Sequence, residues 1–194
     1  MVSIEKLKQL REETALPIIE CKNALEEADG DVEKAKIILR EKGKEAIKDK
    51  KSRQGFNGLI TSYIHPGAKI GVLVQLRCET DFVARNELFQ KLAHELCLQI
   101  TAARPLFIKS EEIPEELLDG EKKIYQKQFQ DSGKPEKIIN QIIEGKLNKY
   151  KKEISLLEQT WIKNENRTIK DLIDEYILQL GEKIEIEKFT RYEI

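Results

Sequence analysis

The chain has 194 residues, 40% of them hydrophobic, enough to build one sizeable domain, or a small one plus a medium one, without covalent staples. Its 34 Lys and Arg side chains offset 35 Asp and Glu to a formal charge of -1, so no global field draws it to nucleic acid or to an anionic membrane. Cys21, Cys78 and Cys97 stand far apart in no metal-type spacing, and an odd count points to packing residues in a reducing compartment.

The opening "MVSIEKLKQLREE" is acid-rich and lacks an apolar h-region, which argues against a secretory signal. No apolar run approaches the roughly 18 residues that a membrane span needs. A soluble, intracellular protein is expected. From Ser3 as N-cap, Ile4, Leu7 and Leu10 share one stripe of a short helix that should stop near Thr14. A second helix can begin at Pro17 and end at Gly30, and Asp31 can cap a third running to Gly43. On the second helix, Ile18, Cys21, Ala24, Leu25 and Ala28 define the buried stripe, which turns Ile19 outward beside Lys22, Asn23 and Glu26.

Residues 43–55, "GKEAIKDKKSRQG", have almost no apolar content and carry positive charge at Lys44, Lys48, Lys50, Lys51 and Arg53. They read as a basic linker. Beyond it "FNGLITSYIH" and "KIGVLVQLRCE" alternate with period two and are joined by "PGA", which predicts an antiparallel hairpin with Ile70, Val72, Val74, Leu76 and Cys78 on one face. In "NELFQKLAHELCLQITAA", Leu88, Phe89, Leu92, Ala93, Leu96, Cys97 and Ile100 recur at helical spacing, so this helix should cover the hairpin's apolar face.

Two surface helices follow, in "PEELLDGEKKIYQKQF" and "PEKIINQIIEGKLNKYKKEI", the second with Ile138, Ile139, Ile142, Ile143, Leu147 and Tyr150 on one side. Thr168 and Asp171 make a capping-box start for "IKDLIDEYILQL", which Gly181 ends, and "KIEIEKFTRYEI" reads as a last strand joining the hairpin. The expected class is α+β, in three parts: helices over 1–42, a basic linker over 43–55, and an α+β core over 56–194.

The chain shows little chemistry. No GxxxxGK[ST] loop and no GxGxxG after a strand is present, so the backbone cradles that hold nucleotide phosphates are missing. His65 and His94 have no ligand-spaced partners and read as structural or surface residues, and no Ser lies in a nucleophile-elbow context. Covalent catalysis is not expected, nor a bound metal or cofactor. The triplet "NRT" at Asn166 matches a glycosylation acceptor but is short enough to arise by chance.

The segment "RCETDFVARNELF" places Phe82 in the first turn of a helix, with Asp81 as a natural N-cap. Phe82 can pack on Phe89 or on the hairpin, or it can project and insert into another surface. A ubiquitin-type adaptor would use residues 1–42 alone and leave this segment without purpose. An RNA binder would use the basic linker, which has no interleaved aromatics.

The stretches "LREETALPIIECKNALEEADGDVEKA", "RCETDFVARNELF", "KPEKIINQIIEGKLNKYKKEISLLEQ" and "FTRYEI" together resemble the elongation factor Ts family, in order and over nearly the whole chain. "TDFVARNE" is the most specific of them. The resemblance implies a ubiquitin-associated-like three-helix start and a guanine-nucleotide exchange factor for elongation factor Tu. It implies that Asp81 and Phe82 enter the partner near its magnesium and phosphate region, with Thr80 and Val83 among the partner-binding residues. Arg11, Ile18, Ile19 and Lys22 stand where the family's N-terminal contacts lie. GDP, GTP and magnesium would belong to the partner. Beside longer members the chain is expected to lack the second core subdomain and the coiled coil, and its resemblance to the shorter form implies a homodimer, in a bacterial cytoplasm or plastid stroma; from its balanced charge no direct contact to nucleic acid or membrane is expected.

Overall fold

In the computed structural model, which describes residues 3–14, 16–51, 55, 57–130, 133 and 135–194, the N-terminal periodicity resolves into α1 (Ile4–Thr14), α2 (Ile18–Glu27) and α3 (Val32–Lys51). Arg53 and Phe56, and the side chains of 44–51, lie outside the described residues. The Leu25 carbonyl accepts from the Gly30 amide at 2.8 Å, with Asp29 and Gly30 both at positive φ, so α2 closes in the left-handed turn that glycine favours. Asp31 caps α3 as expected, its Oδ1 accepting from the Lys34 amide at 3.1 Å.

The third helix does not stop at Gly43. It runs on to Lys51, through much of the expected linker. Glycine serves proximity here: a Cβ at position 43 would stand 2.9 Å from Leu178 Cδ1. The three helices pack on one another around Leu10, Leu16, Cys21, Ala24, Leu25, Ala28, Ala35 and Leu39.

Strands β1 (Asn57–Ile64) and β2 (Ile70–Cys78) form the predicted hairpin. The His65 amide donates to Ile70 O at 2.9 Å and the Ala68 amide to His65 O at 2.9 Å, closing the Pro66–Gly67–Ala68 turn. Val72, Val74, Leu76 and Cys78 are buried on one face of β2. The last strand, β5 (Glu185–Glu193), completes an antiparallel sheet in the order β1-β2-β5. The class is α+β, as the sequence pattern predicts.

After β2 come a one-turn helix, α4 (Asp81–Ala84), and then α5 (Glu87–Ala103). Phe89, Leu92, Ala93, Leu96, Cys97 and Ile100 of α5 are buried, whereas Leu88, placed on the same stripe from sequence, is exposed in the first turn. Helices α6 (Glu115–Phe129) and α7 (Glu136–Ile154) pack together, with the Lys146 ammonium over the rings of Tyr125 and Phe129 at 5.1 and 5.4 Å. On α7, Ile143 is buried but Ile138, expected on the packed side, is exposed. Helix α8 (Ile169–Leu180) starts in a reciprocal cap: the Thr168 amide donates to Asp171 Oδ2 at 2.9 Å and the Asp171 amide to Thr168 Oγ1 at 3.1 Å.

A second, two-stranded sheet of β3 (Thr160–Trp161) and β4 (Asn164–Thr168) has no counterpart in the sequence reading. Asn166 lies on β4. Buried Gln99 secures β3, donating to Thr160 O at 3.1 Å and accepting from the Ile162 amide at 2.9 Å.

The chain divides into two compact units. One comprises Met1–Ile60, Gln75–Ala93 and Ile173–Glu187, the other Thr61–Val74, His94–Leu172 and Lys188–Ile194. Among the described residues, no helix is long and apolar enough to cross a membrane.

Candidate functional site

The site is built where β2 ends. Cys78 is the last inward-facing residue of the strand, and Glu79 and Thr80 carry the chain into α4. Thr80, not Asp81, is the N-cap: its backbone is extended (φ -121°, ψ 158°) and its Oγ1 accepts from the Val83 amide at 3.3 Å. Only a residue in that conformation can turn its side chain back onto the free amides of the first turn, and Asp81 is already helical. Asp81 instead stands exposed in the first turn, where its charge favours the positive end of the backbone dipoles.

Phe82 is 86% exposed. Its neighbours Val83 and Ala84 are half-buried, so α4 turns its small residues inward and its aromatic ring outward. The expectation that Phe82 could pack on Phe89 is not met, since Phe89 is fully buried while the Phe82 ring stands in solvent. The turn ends at Arg85, and α5 starts afresh with Asn86, whose Oδ1 accepts from the Leu88 amide at 2.8 Å. The single helix expected from position 80 onward is therefore two, broken at Arg85–Asn86.

The backbone beneath the ring is held from far along the chain. Glu182 Oε2 accepts from the Glu79 amide and from the Thr80 amide, each at 3.0 Å, and Glu182 Oε1 accepts from Thr80 Oγ1 at 2.5 Å. In return Glu79 Oε1 accepts from the Lys183 amide at 2.8 Å, while Asn57 Nδ2 donates to Glu79 O at 2.8 Å. The buried Cys78 thiol donates to Thr80 O at 3.1 Å. Burial, reinforced by the nearby Glu182 charge, pushes that thiol up to about 11, so it remains protonated. Glu79, Glu182 and Asn57 were not singled out from sequence. No spacing rule connects positions 79 and 182, and a lone Glu after a helix-ending glycine is an ordinary surface residue.

The N-terminal candidates lie on α1 and α2. Arg11 is exposed in the last turn of α1. Ile19 is 69% exposed, in keeping with its predicted outward direction, and Lys22 pairs with Glu26 at 3.8 Å in solvent. Ile18 corrects the helical wheel, being 50% exposed where burial was expected. It opens α2 directly after Pro17, and Leu16, just before the helix, fills the apolar cluster in its place. Ile18, Ile19 and Lys22 thus present an aliphatic patch beside a cation. Among the described residues, no three His, Cys, Asp or Glu side chains come together to hold a metal ion.

Residues 20–194 match the sequence profile of the family described as elongation factor TS. The chain belongs to the elongation factor Ts family. It is 49% identical over 193 residues to an elongation factor Ts of Caldanaerobacter subterraneus subsp. tengcongensis, an alignment covering 100% of this chain and 96% of that protein. It is 48% identical over 191 residues to one of Coprothermobacter proteolyticus (98% and 97% covered), and 47% identical over 193 residues to one of Thermotoga petrophila (100% and 96% covered). Membership of this family supports a nucleotide-exchange role in translation elongation.

Proposed function

We propose that the chain is a guanine-nucleotide exchange factor that binds elongation factor Tu and speeds GDP release by presenting Asp81 and Phe82 to the partner's magnesium and phosphate region. The observation that carries this reading is an 86% exposed Phe ring on a turn anchored through Thr80 to Glu182 and capped at the Val83 amide. An aromatic ring left in water on a rigid support gains free energy by burial elsewhere. Thr80 and Val83 frame the ring, while Arg11, Ile18, Ile19 and Lys22 grip the partner's nucleotide-binding domain.

No bond is made or broken, so the factor is not an enzyme in the chemical sense. It binds the nucleotide-free partner better than the nucleotide-bound one, and linkage makes the antagonism with nucleotide mutual. GDP, GTP and magnesium are the partner's ligands. A thousandfold faster release needs a barrier lower by ~4 kcal/mol. Burying one Phe contributes about 1.5 to 3 kcal/mol, so the ring supplies part of the effect and the N-terminal contacts supply the anchorage.

In this reading residues 1–42 form the gripping, ubiquitin-associated-like module, 43–55 connect it, and 56–194 form a core that dimerises. Among the described residues the outer strands β1 and β5 have no further strand beside them, and Ile64 and Leu73 are exposed on the sheet, surfaces that a second copy can cover. The factor acts in a bacterial cytoplasm or a plastid stroma, without direct contact to nucleic acid or membrane. Stopped-flow release of labelled GDP from elongation factor Tu tests the exchange role: the chain should accelerate release strongly, and release at the intrinsic rate would refute it. Light scattering at micromolar concentration tests the dimer, which a monomer mass would exclude.

A further inference from the structure

We propose that Glu182 is a positioning residue for exchange: it touches no partner, but its carboxylate sets the direction in which the Thr80–Phe82 turn projects. The inference rests on the exchange reading above. An 86% exposed ring has little of its own chain to fix it. Its aim comes from the backbone below it, and three of the described bonds to that segment end on one carboxylate.

Glu182 takes three donors. Its Oε2 receives the Glu79 and Thr80 amides at 3.0 Å each, and its Oε1 receives the Thr80 hydroxyl at 2.5 Å. The last bond matters most. A threonine hydroxyl has one proton and two lone pairs. By claiming the proton, Glu182 directs the lone pairs toward the Val83 amide, at 3.3 Å, and so sets the cap of α4. Bonds to an ionised acceptor are about twice as strong as neutral ones, and a one-turn helix has little else to hold it. The clasp is also reciprocal, because Glu79 Oε1 accepts from the Lys183 amide at 2.8 Å. Gly181, at φ 77°, turns the chain out of α8 directly before Glu182.

The test uses the full chain and elongation factor Tu loaded with labelled GDP, reading both the release rate at saturating factor and the half-saturating concentration. Glu182→Ala should lower the saturating rate about tenfold, equivalent to ~1.4 kcal/mol, and leave the half-saturating concentration within about twofold, because the contacts of α1 and α2 are untouched. Glu182→Gln should recover only part of the rate: its amide oxygen can still accept both backbone N–H groups, but its NH2 donates to Thr80 Oγ1 and no longer takes the hydroxyl proton. A purely structural role would not separate these two variants while leaving docking unchanged.

In the Phe82→Ala background, Glu182→Ala should cost clearly less than it does alone, since much of its effect passes through the ring. A full rate for Glu182→Ala, or a loss undiminished in that background, would overturn the assignment. If Phe82→Ala alone exchanged at the wild-type rate, the wedge reading would fail instead, whatever Glu182 did. Should Glu182→Ala fail to fold in a thermal melt, Glu182→Asp, one methylene shorter and still charged, is read by the same criteria.

Discussion

Arg85 Nη2 lies 3.1 Å from Asp81 Oδ2, one turn back along α4, and both side chains are mostly in solvent. A pair so placed is screened and worth under ~0.5 kcal/mol. The Asp81 carboxylate is therefore tethered lightly and can leave Arg85 for a cationic or hydrogen-bonding group on a partner. Arg85→Ala should shift the melting free energy by less than ~0.5 kcal/mol and change stimulated GDP release by less than about threefold. A larger loss of rate with unchanged stability would show that Arg85 itself meets the partner.

Two phenylalanines seven positions apart give opposite expectations. Phe82→Ala should leave the melting curve within ~0.5 kcal/mol of the parent and slow stimulated GDP release by about ten- to a hundredfold. Phe89→Ala, at a fully buried position, should cost about 3 to 5 kcal/mol of stability. Chemical denaturation of both variants, run beside the release assay, separates the two roles.

Ile19→Asp removes an exposed aliphatic side chain from α2 and puts a charge in its place. If the patch of Ile18, Ile19 and Lys22 docks, forfeiting burial of one Ile, worth about 1.5 to 3 kcal/mol, raises the half-saturating concentration by about tenfold or more, with the plateau rate retained. Titration of factor against labelled partner reads both values. An unchanged half-saturation point would remove Ile19 from the interface.

The cap of α8 carries a pH dependence. Partial burial pushes the Asp171 carboxyl up, but the Thr168 amide and hydroxyl, with the charges of Arg167 and Lys170, outweigh it and hold the group below its usual value. A carboxyl whose value is lower folded than unfolded stabilises fully above its unfolded value of about 3.9, and that stabilisation disappears as pH falls through the folded value. Asp171→Ala should thus lower stability by about 0.5 to 2 kcal/mol at neutral pH, and the gap from the parent should close in strong acid. Melting curves across that range check it; a gap constant down to acid pH would exclude the carboxylate as its source.

Regular burial was the readable part of this sequence. The alternation of Val72, Val74, Leu76 and Cys78 and the helical recurrence from Phe89 to Ile100 each reflect one side chain meeting one continuous interior, and periodicity reports that directly. It fails at ends. Ile18 and Leu88 satisfy the angular test but sit in first turns, beyond the surface their helices cover. Gly43 resembles a stop signal, yet its missing side chain answers Leu178, a residue no local window contains. The β3–β4 pair gives no periodic signal because "NENRT" is polar throughout, and its partner β3 is held by buried Gln99 at Thr160 O rather than by an apolar stripe. For the site, residue types near Thr80 were legible, whereas the capping role of Thr80 and the support from Glu182 depend on which atoms face which amides.

The carboxylate that steadies Thr80 is supplied 102 positions downstream. A ribosome-bound polypeptide that has not yet reached Glu182 therefore possesses the aromatic tip but not its brace. In the proposed reading, copies clipped before Glu182 keep the docking patches of α1 and α2 but not an aimed ring, so they would occupy the partner while speeding release poorly.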